Sequence, residues 1–185
     1  MEVFYFDNRL EAYEKLCQWN QALDYLENLY YEGKSTTILN SLVGFSWYYY
    51  FVGPLVSQKY ADDPNDKALE IWKKYLDIGE QEVGANLFFN FIAGYTLSLH
   101  GFLISAEYEK KGSAYLRSLM TLAEGTQFQA IAQHAYDTSK RTRKKHRKAE
   151  RKKQLENRRV ICKEFFWGKS LLDIYLTEIF TRQYE

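Results

Sequence analysis

Three histidines and two cysteines are the residues of this sequence whose types most often bind metals or carry catalysis. No second histidine or cysteine stands three or four residues from His100, His134 or His146, and Cys17 and Cys162 belong to no CxxC pair. Zinc sites need such spacings because their ligands must converge on one ion. No HExxH, Walker, GxGxxG or GxSxG motif occurs either. We therefore expect no metal ligand, no cofactor and no catalytic residue.

Charge gives the strongest functional signal. Residues 138–159 hold 12 of the 25 Lys and Arg but only 2 of the 24 Asp and Glu, a net charge of about +10 (12 − 2). The rest of the chain holds 13 basic against 22 acidic residues, about −9 (13 − 22). Such a separation points to a charged partner rather than to a fold. The candidate partner-binding residues of this basic segment are Lys140, Arg141, Arg143, Lys144, Lys145, Arg147, Lys148, Arg151 and Lys152.

The basic segment allows three interpretations. It could contact phosphates, it could bind an acidic protein surface, or it could be a solvated helix that lies along the acidic remainder of its own chain. Aromatic residues are absent from residues 138–159, so base stacking is not indicated. Any nucleic-acid contact of this segment would therefore be made to the backbone.

A second candidate surface is the aromatic run at residues 45–51, where six of seven residues are aromatic. Six aromatic side chains cover the whole circumference of a helix, so they cannot all face the core. Tyrosine and tryptophan are enriched at protein interfaces. We predict that Trp47, Tyr48 and Tyr50 contact a partner; the alternative is that the run forms the core between neighbouring helices.

The elements that carry these residues follow an internal repeat. Residues 22–33, 68–79 and 114–125 each begin with Ala and end with Gly, and successive copies are 46 residues apart. Their apolar residues recur at three- and four-residue spacings, as in an amphipathic helix whose closing Gly ends it. Residues 40–49 and 90–99 also match each other. The sequence thus predicts an all-α array of antiparallel helical hairpins with a period of about 46, in a single domain over residues 1–185.

Further boundaries can be predicted. Residues 62–66 indicate a turn and a helix start, and residues 110–113 a helix end followed by the cap of the next helix. Residues 138–154 contain one apolar residue. They are therefore expected to form an exposed, basic continuation of the helix from Gln127, which would end near residues 156–157. Residues 160–181 are expected to form a final capping helix.

Two stretches of 24 residues, 35–58 and 83–106, lack any charged residue and are long enough to span a bilayer. Both contain several polar side chains that are costly in lipid, so we interpret them as buried helices of a soluble protein. The acidic N-terminal sequence lacks the pattern of a signal peptide. Two cysteines in apolar segments are typical of buried thiols in a reducing compartment. These features predict a cytoplasmic protein without a membrane contact.

Residues 42–44 with Trp47, and Gly94 with Ala106, match parts of the tetratricopeptide pattern. The paired helices over residues 12–136 therefore resemble tetratricopeptide-like helical repeats. The period of 46 instead of 34 and the missing closing proline depart from that pattern. The resemblance implies the architecture and carries no ligand residues.

As a small, aromatic-rich, helical chain with an acidic body, the sequence also resembles the immunity proteins that bacteria pair with secreted nuclease toxins. This resemblance implies a non-catalytic protein that binds and neutralises a cationic toxin, because opposite charges favour the encounter. The alternative is a nucleic-acid-binding or adaptor module that acts through residues 138–159.

Overall fold

A computed structural model describes residues 3–53, 66–139, 148–166 and 169–182. Within these ranges the chain forms helices and no strand, so the predicted all-α class is confirmed. One short segment, Gly101–Leu103, forms a 3₁₀ helix. The helices are α1 (Asn8–Lys15), α2 (Trp19–Gly33), α3 (Thr36–Phe51), α4 (Asp66–Val83), α5 (Leu87–His100), α6 (Ala106–Leu122), α7 (Gln129–Ser139), α8 (Lys148–Phe165) and α9 (Leu171–Thr181).

The chain divides into two compact units. Residues 2–84 and 169–172 form the N-terminal unit, whereas residues 85–168 and 173–185 belong to the C-terminal unit. The three repeat segments lie in α2, in α4 and at the end of α6, and the helices that follow α4 and α6 are shorter than these. The period of 46, the array of hairpins and the single domain over residues 1–185 stay predictions.

The centres of α3 and α5 are buried on every side. All residues from 38 to 49 in α3 and from 88 to 97 in α5 are buried. A helix without a polar face must be enclosed by other elements, because exposing it would leave a large apolar surface in water. The prediction of buried helices in both uncharged stretches is confirmed. Among the helices of the described ranges, none combines the length and the apolar character needed to cross a membrane.

In the N-terminal unit, α2 and α4 run in the same direction. Ion pairs join Asp24 to Lys67, Glu27 to Lys74 and Lys34 to Glu82. Residues with higher numbers near α2 thus pair with residues with higher numbers in α4. Both helices are amphipathic, which turns their charged residues outward. The side chains that they bury include Leu23, Leu26, Tyr30, Ile71, Trp72, Tyr75 and Leu76.

In the C-terminal unit, α5 and α6 approach each other through glycines. A Cβ atom at Gly94 would lie 3.0 Å from side-chain atoms of Leu116, and one at Gly112 would lie 2.8 Å from the Cβ of Leu97. Residues later in α5 therefore contact residues earlier in α6, so the two helices run in opposite directions. Small residues allow the two backbones this close approach, which any side chain at Gly112 would obstruct.

Two predicted helix ends are wrong. Gly79 is buried inside α4, which continues to Val83. Residues 110–113 lie within α6, where Gly112 packs against α5, and the side chain of Ser105 caps that helix instead. In both cases tertiary packing uses the glycine as a small residue within the helix, not as a terminator.

At the other two repeat glycines the helix does end. Gly33 is the last residue of α2, and Lys34 takes the left-handed conformation with φ of 45°. Gly125 has φ of 71°, three residues after α6 ends. The turn predicted at residues 62–65 lies outside the described residues, and α4 begins at Asp66.

The last part of the chain also differs from the prediction. Instead of ending near residues 156–157, α8 continues to Phe165, so residues 160–181 form parts of two helices. The buried carboxylate of Glu14 accepts hydrogen bonds from the Leu171 amide (3.0 Å) and the Tyr49 hydroxyl (3.1 Å). Because the Leu171 amide is one of those that a helix start leaves unpaired, Glu14 fixes the beginning of α9 within the N-terminal unit.

We predict that Gly112→Ala destabilises the protein by about 1–3 kcal/mol, the range typical of overpacked cores. The added methyl group would meet Leu97 at 2.8 Å. The matched control is Gly33→Ala, because no atom lies within 4 Å of a Cβ at Gly33. Urea denaturation of both variants checks the prediction. Equal midpoints for the two variants would contradict the close packing of α5 on α6.

Candidate protein-binding surface

The structure describes part of the predicted basic segment. Six of its candidate residues lie outside the described residues: Lys140, Arg141, Arg143, Lys144, Lys145 and Arg147. Three more, Lys148, Arg151 and Lys152, belong to the first two turns of α8.

The residues of α8 that follow the predicted exposed stretch 138–154 are partly buried. Leu155 and Cys162 are buried on one face of α8, and burial raises the pKa of the Cys162 thiol to about 12. Arg158 donates from Nε to the carbonyl oxygen of Phe180 at 2.8 Å. The apolar residues after position 154 supply this buried face, so α8 is fixed to α9 while Lys153 and Arg159 remain exposed.

The aromatic candidates lie mostly in the core. Trp47 and Tyr48 expose 0% and 3% of their surface, so the prediction that they contact a partner does not agree with their positions. Tyr50 is partly exposed. The reason is the enclosure of α3 on all sides, which turns its aromatic residues into packing groups, as in the ring contact of Phe51 with Trp72 at 5.5 Å.

Partly exposed aromatic side chains lie instead where α1 meets α2. The Arg9 guanidinium lies 4.5 Å from the ring centroid of Tyr25 and 5.7 Å from that of Tyr13. Its Nε donates a hydrogen bond to the Tyr13 hydroxyl at 3.0 Å. Behind this pair, Asp7 accepts hydrogen bonds from the hydroxyls of Tyr25 (2.6 Å) and Tyr5 (2.8 Å). The hydrogen bond to Asp7 raises the pKa of Tyr25.

A similar cluster joins α2 to α4. Lys74 Nζ donates to Glu27 Oε1 at 2.7 Å and to the Tyr31 hydroxyl at 2.8 Å. The Tyr75 hydroxyl donates to the same Glu27 oxygen at 3.1 Å. Lys74 lies 5.3 Å from the ring centroid of Tyr31 and 5.0 Å from that of Tyr75. The hydrogen bond from Lys74 lowers the pKa of Tyr31, whereas burial and the Glu27 charge raise the pKa of Tyr75.

Sequence reasoning missed both clusters because it searched for a run of one charge or one residue class. The available signal was the alternation of tyrosine with acidic residues in residues 24–32, which read DYLENLYYE. On an amphipathic helix this alternation places tyrosines at the boundary between the buried and the exposed face. Tyrosine suits that boundary because its ring is apolar and its hydroxyl is polar.

The negative charge of the chain is concentrated in the same region. Residues 2–84 hold 7 Lys and Arg against 14 Asp and Glu, a net charge of about −7 (7 − 14). Exposed carboxylates of α2 and α4 include Asp24, Glu32, Glu70 and Glu82. The N-terminal unit is therefore the acidic body of the molecule, and the basic charge lies in residues 138–159.

His100 and His134 are partly buried in the C-terminal unit. His134 contacts the ring of Phe180 at 5.4 Å between centroids, and burial together with the Arg158 charge lowers its pKa to about 4. Burial also lowers the pKa of His100. Within the described ranges, no three His, Cys, Asp or Glu residues form a group that could hold a metal.

The cysteines occupy different environments. Cys162 is buried as predicted, but Cys17 is only partly buried, at the turn between α1 and α2 with φ of 54°. Positive φ is unusual for a residue with a Cβ atom, and the turn that joins the two helices imposes it here.

No family model, no curated protein and no solved structure matches this chain. Function is therefore inferred from the charged and aromatic surfaces of the chain. Those surfaces consist of an acidic, tyrosine-lined N-terminal unit and a basic segment that ends in α8.

We predict that acid weakens the fold through His134. Its folded-state pKa of about 4 lies below the ordinary histidine value, so the unfolded chain binds a proton that the folded chain does not. Stability is therefore full at pH 7 and falls as the pH drops toward 4, by about 2 kcal/mol between pH 7 and pH 5. Urea denaturation at both values checks this. His134→Gln should lose most of the pH difference, and an unchanged difference would refute the assignment to His134.

Proposed function

We propose that this chain is a non-catalytic binding protein whose partner is a cationic protein, in the manner of an immunity protein that neutralises a nuclease toxin. The observation that carries the proposal is the charge of residues 2–84, about −7 (7 − 14), together with the exposed carboxylates of α2 and α4. A surface potential of one sign steers an oppositely charged partner and speeds the encounter.

The tyrosines of the N-terminal unit support a protein partner over a small ion. Tyr31 exposes 63% of its surface, and the rings of Tyr13 and Tyr25 already carry the Arg9 guanidinium. Tyrosine supplies a large, rigid contact area at a low cost in side-chain entropy, which is why it is frequent in binding sites. Carboxylates and tyrosines together are suited to a partner rich in arginine and lysine.

The proposal is tested with the protein encoded next to this chain. That neighbour is expressed in a host alone and together with this chain, and growth is recorded. We expect the neighbour alone to stop growth and co-expression to restore it, with a complex that remains intact at 300 mM NaCl. A harmless neighbour that does not bind the chain in isothermal titration would contradict the proposal.

A second candidate function is favoured by a different observation. Residues 138–159 hold 12 basic and 2 acidic residues, and α8 contains the second half of this segment. Binding of RNA or DNA through phosphates would follow from this charge.

We predict that, if nucleic acid is the partner, affinity for a duplex falls steeply with salt because bound counterions are released. The variant Lys144→Gln/Lys145→Gln/Arg147→Gln/Lys148→Gln should then lose binding almost regardless of sequence. Fluorescence anisotropy between 50 and 200 mM NaCl measures both effects. Binding that is insensitive to salt and to these four substitutions would exclude a phosphate-binding role of the segment.

A further inference from the structure

The outward face of α2 is polar and exposed along the whole helix. α2 packs against α1, α3 and α4. Its remaining side carries residues that are mostly three or four positions apart in the sequence. One of them, Tyr31, is an aromatic side chain that exposes 63% of its surface. This α2 face consists of Gln21, Asp24, Asn28, Tyr31 and Glu32, all of them exposed.

Cations of the chain itself lie along both edges of the α2 face. On the α1 side, Arg9 lies over Tyr25 at 4.5 Å. On the α4 side, Lys74 binds the Tyr31 hydroxyl at 2.8 Å and lies 5.3 Å from its ring centroid. Lys67 pairs with Asp24 on the same side. The structure thus shows on both edges how this combination of tyrosine rings and carboxylates holds a positive group.

We propose that the α2 face is a docking surface for an arginine-rich protein surface. The inference rests on the proposed function, since it names the face and the side chains by which a cationic partner is recognised. Charge complementarity selects this occupant: residues 2–84, which include the α2 face, hold 7 basic against 14 acidic residues. The partner's guanidinium groups would pair with Asp24 and Glu32 and stack on Tyr31.

Arginine suits this face better than lysine does. A guanidinium is planar and weakly hydrated, so it can stack on a tyrosine ring while its N–H groups bond a carboxylate. Tyr31 and Glu32 are both exposed in the last turn of α2, so an arginine-rich surface can meet the ring and the carboxylate there with separate guanidinium groups. A lysine ammonium can make the ion pair but gains less from the ring.

The test compares two peptides of equal charge, nona-arginine and nona-lysine, as probes of the full-length chain. Fluorescence anisotropy in 150 mM NaCl gives their dissociation constants. We expect nona-arginine to bind about three- to fivefold tighter, the factor that one exposed cation–π contact supplies. Equal affinities would overturn the proposal.

A pair of variants locates the effect. Tyr31→Ala/Glu32→Gln removes one exposed ring and one exposed carboxylate from the α2 face. Phe102→Ala/Glu124→Gln removes an exposed ring and an exposed carboxylate from the C-terminal unit and is the matched control. The arginine preference should disappear in the first variant and persist in the second. Loss in both variants, or in the control alone, would overturn the proposal.

Two further outcomes separate this inference from its alternatives. Sedimentation velocity at 50 mM NaCl should show a monomer; self-association that the Tyr31→Ala/Glu32→Gln variant abolishes would show that a second copy occupies the face. If the neighbouring protein binds the chain and this variant binds it equally well, the inference fails while the proposed function stands. If the arginine preference depends on Tyr31 but the neighbour does not bind, the proposed function fails while the α2 face remains an arginine-binding surface.

Discussion

The complete burial of α3 and α5 is the constraint on which the rest of the structure depends. Neither helix has a polar side at its centre, so each must be enclosed by other parts of the chain. Enclosure requires amphipathic neighbours, because their inner faces must be apolar and their outer faces soluble. α2, α4 and α6 meet this requirement, with buried residues on one side and charged residues on the other. The surface chemistry of the protein is thus the outer half of these enclosing helices.

This constraint explains why the aromatic surplus has two different roles. Aromatic residues of α3, such as Trp47, fill the core because α3 has no outer side. Two tyrosines of α2 that are not buried, Tyr25 and Tyr31, lie at the edge between core and solvent, where Tyr25 donates to Asp7 at 2.6 Å and Tyr31 accepts from Lys74 at 2.8 Å. Only the second group can meet a partner without unfolding. The same residue type therefore packs in one helix and contributes to recognition in the next.

The helical class and the buried helices could be predicted from the sequence because periodicity and missing charge are local signals. The position of Gly79 inside α4 could not, because a glycine that ends a helix and one that packs within it look alike without the neighbouring helix. The start of α9 at Leu171 could not be predicted either, because the Leu171 amide donates its hydrogen bond to Glu14, more than 150 residues earlier in the chain. Long-range contacts of this kind produce no periodic pattern in the sequence.

The candidate site was predictable only in its charge. The sequence showed that an acidic body and a basic segment exist, whereas the pairing of Arg9 with Tyr25 and of Lys74 with Tyr31 depends on which helices are adjacent. The measurement that tests the central claim most directly is a backbone amide NMR titration of the full chain with nona-arginine in 150 mM NaCl. The account predicts that the largest shift changes lie within residues 21–32. Changes spread equally over the acidic residues of α4, with none concentrated on α2, would contradict it.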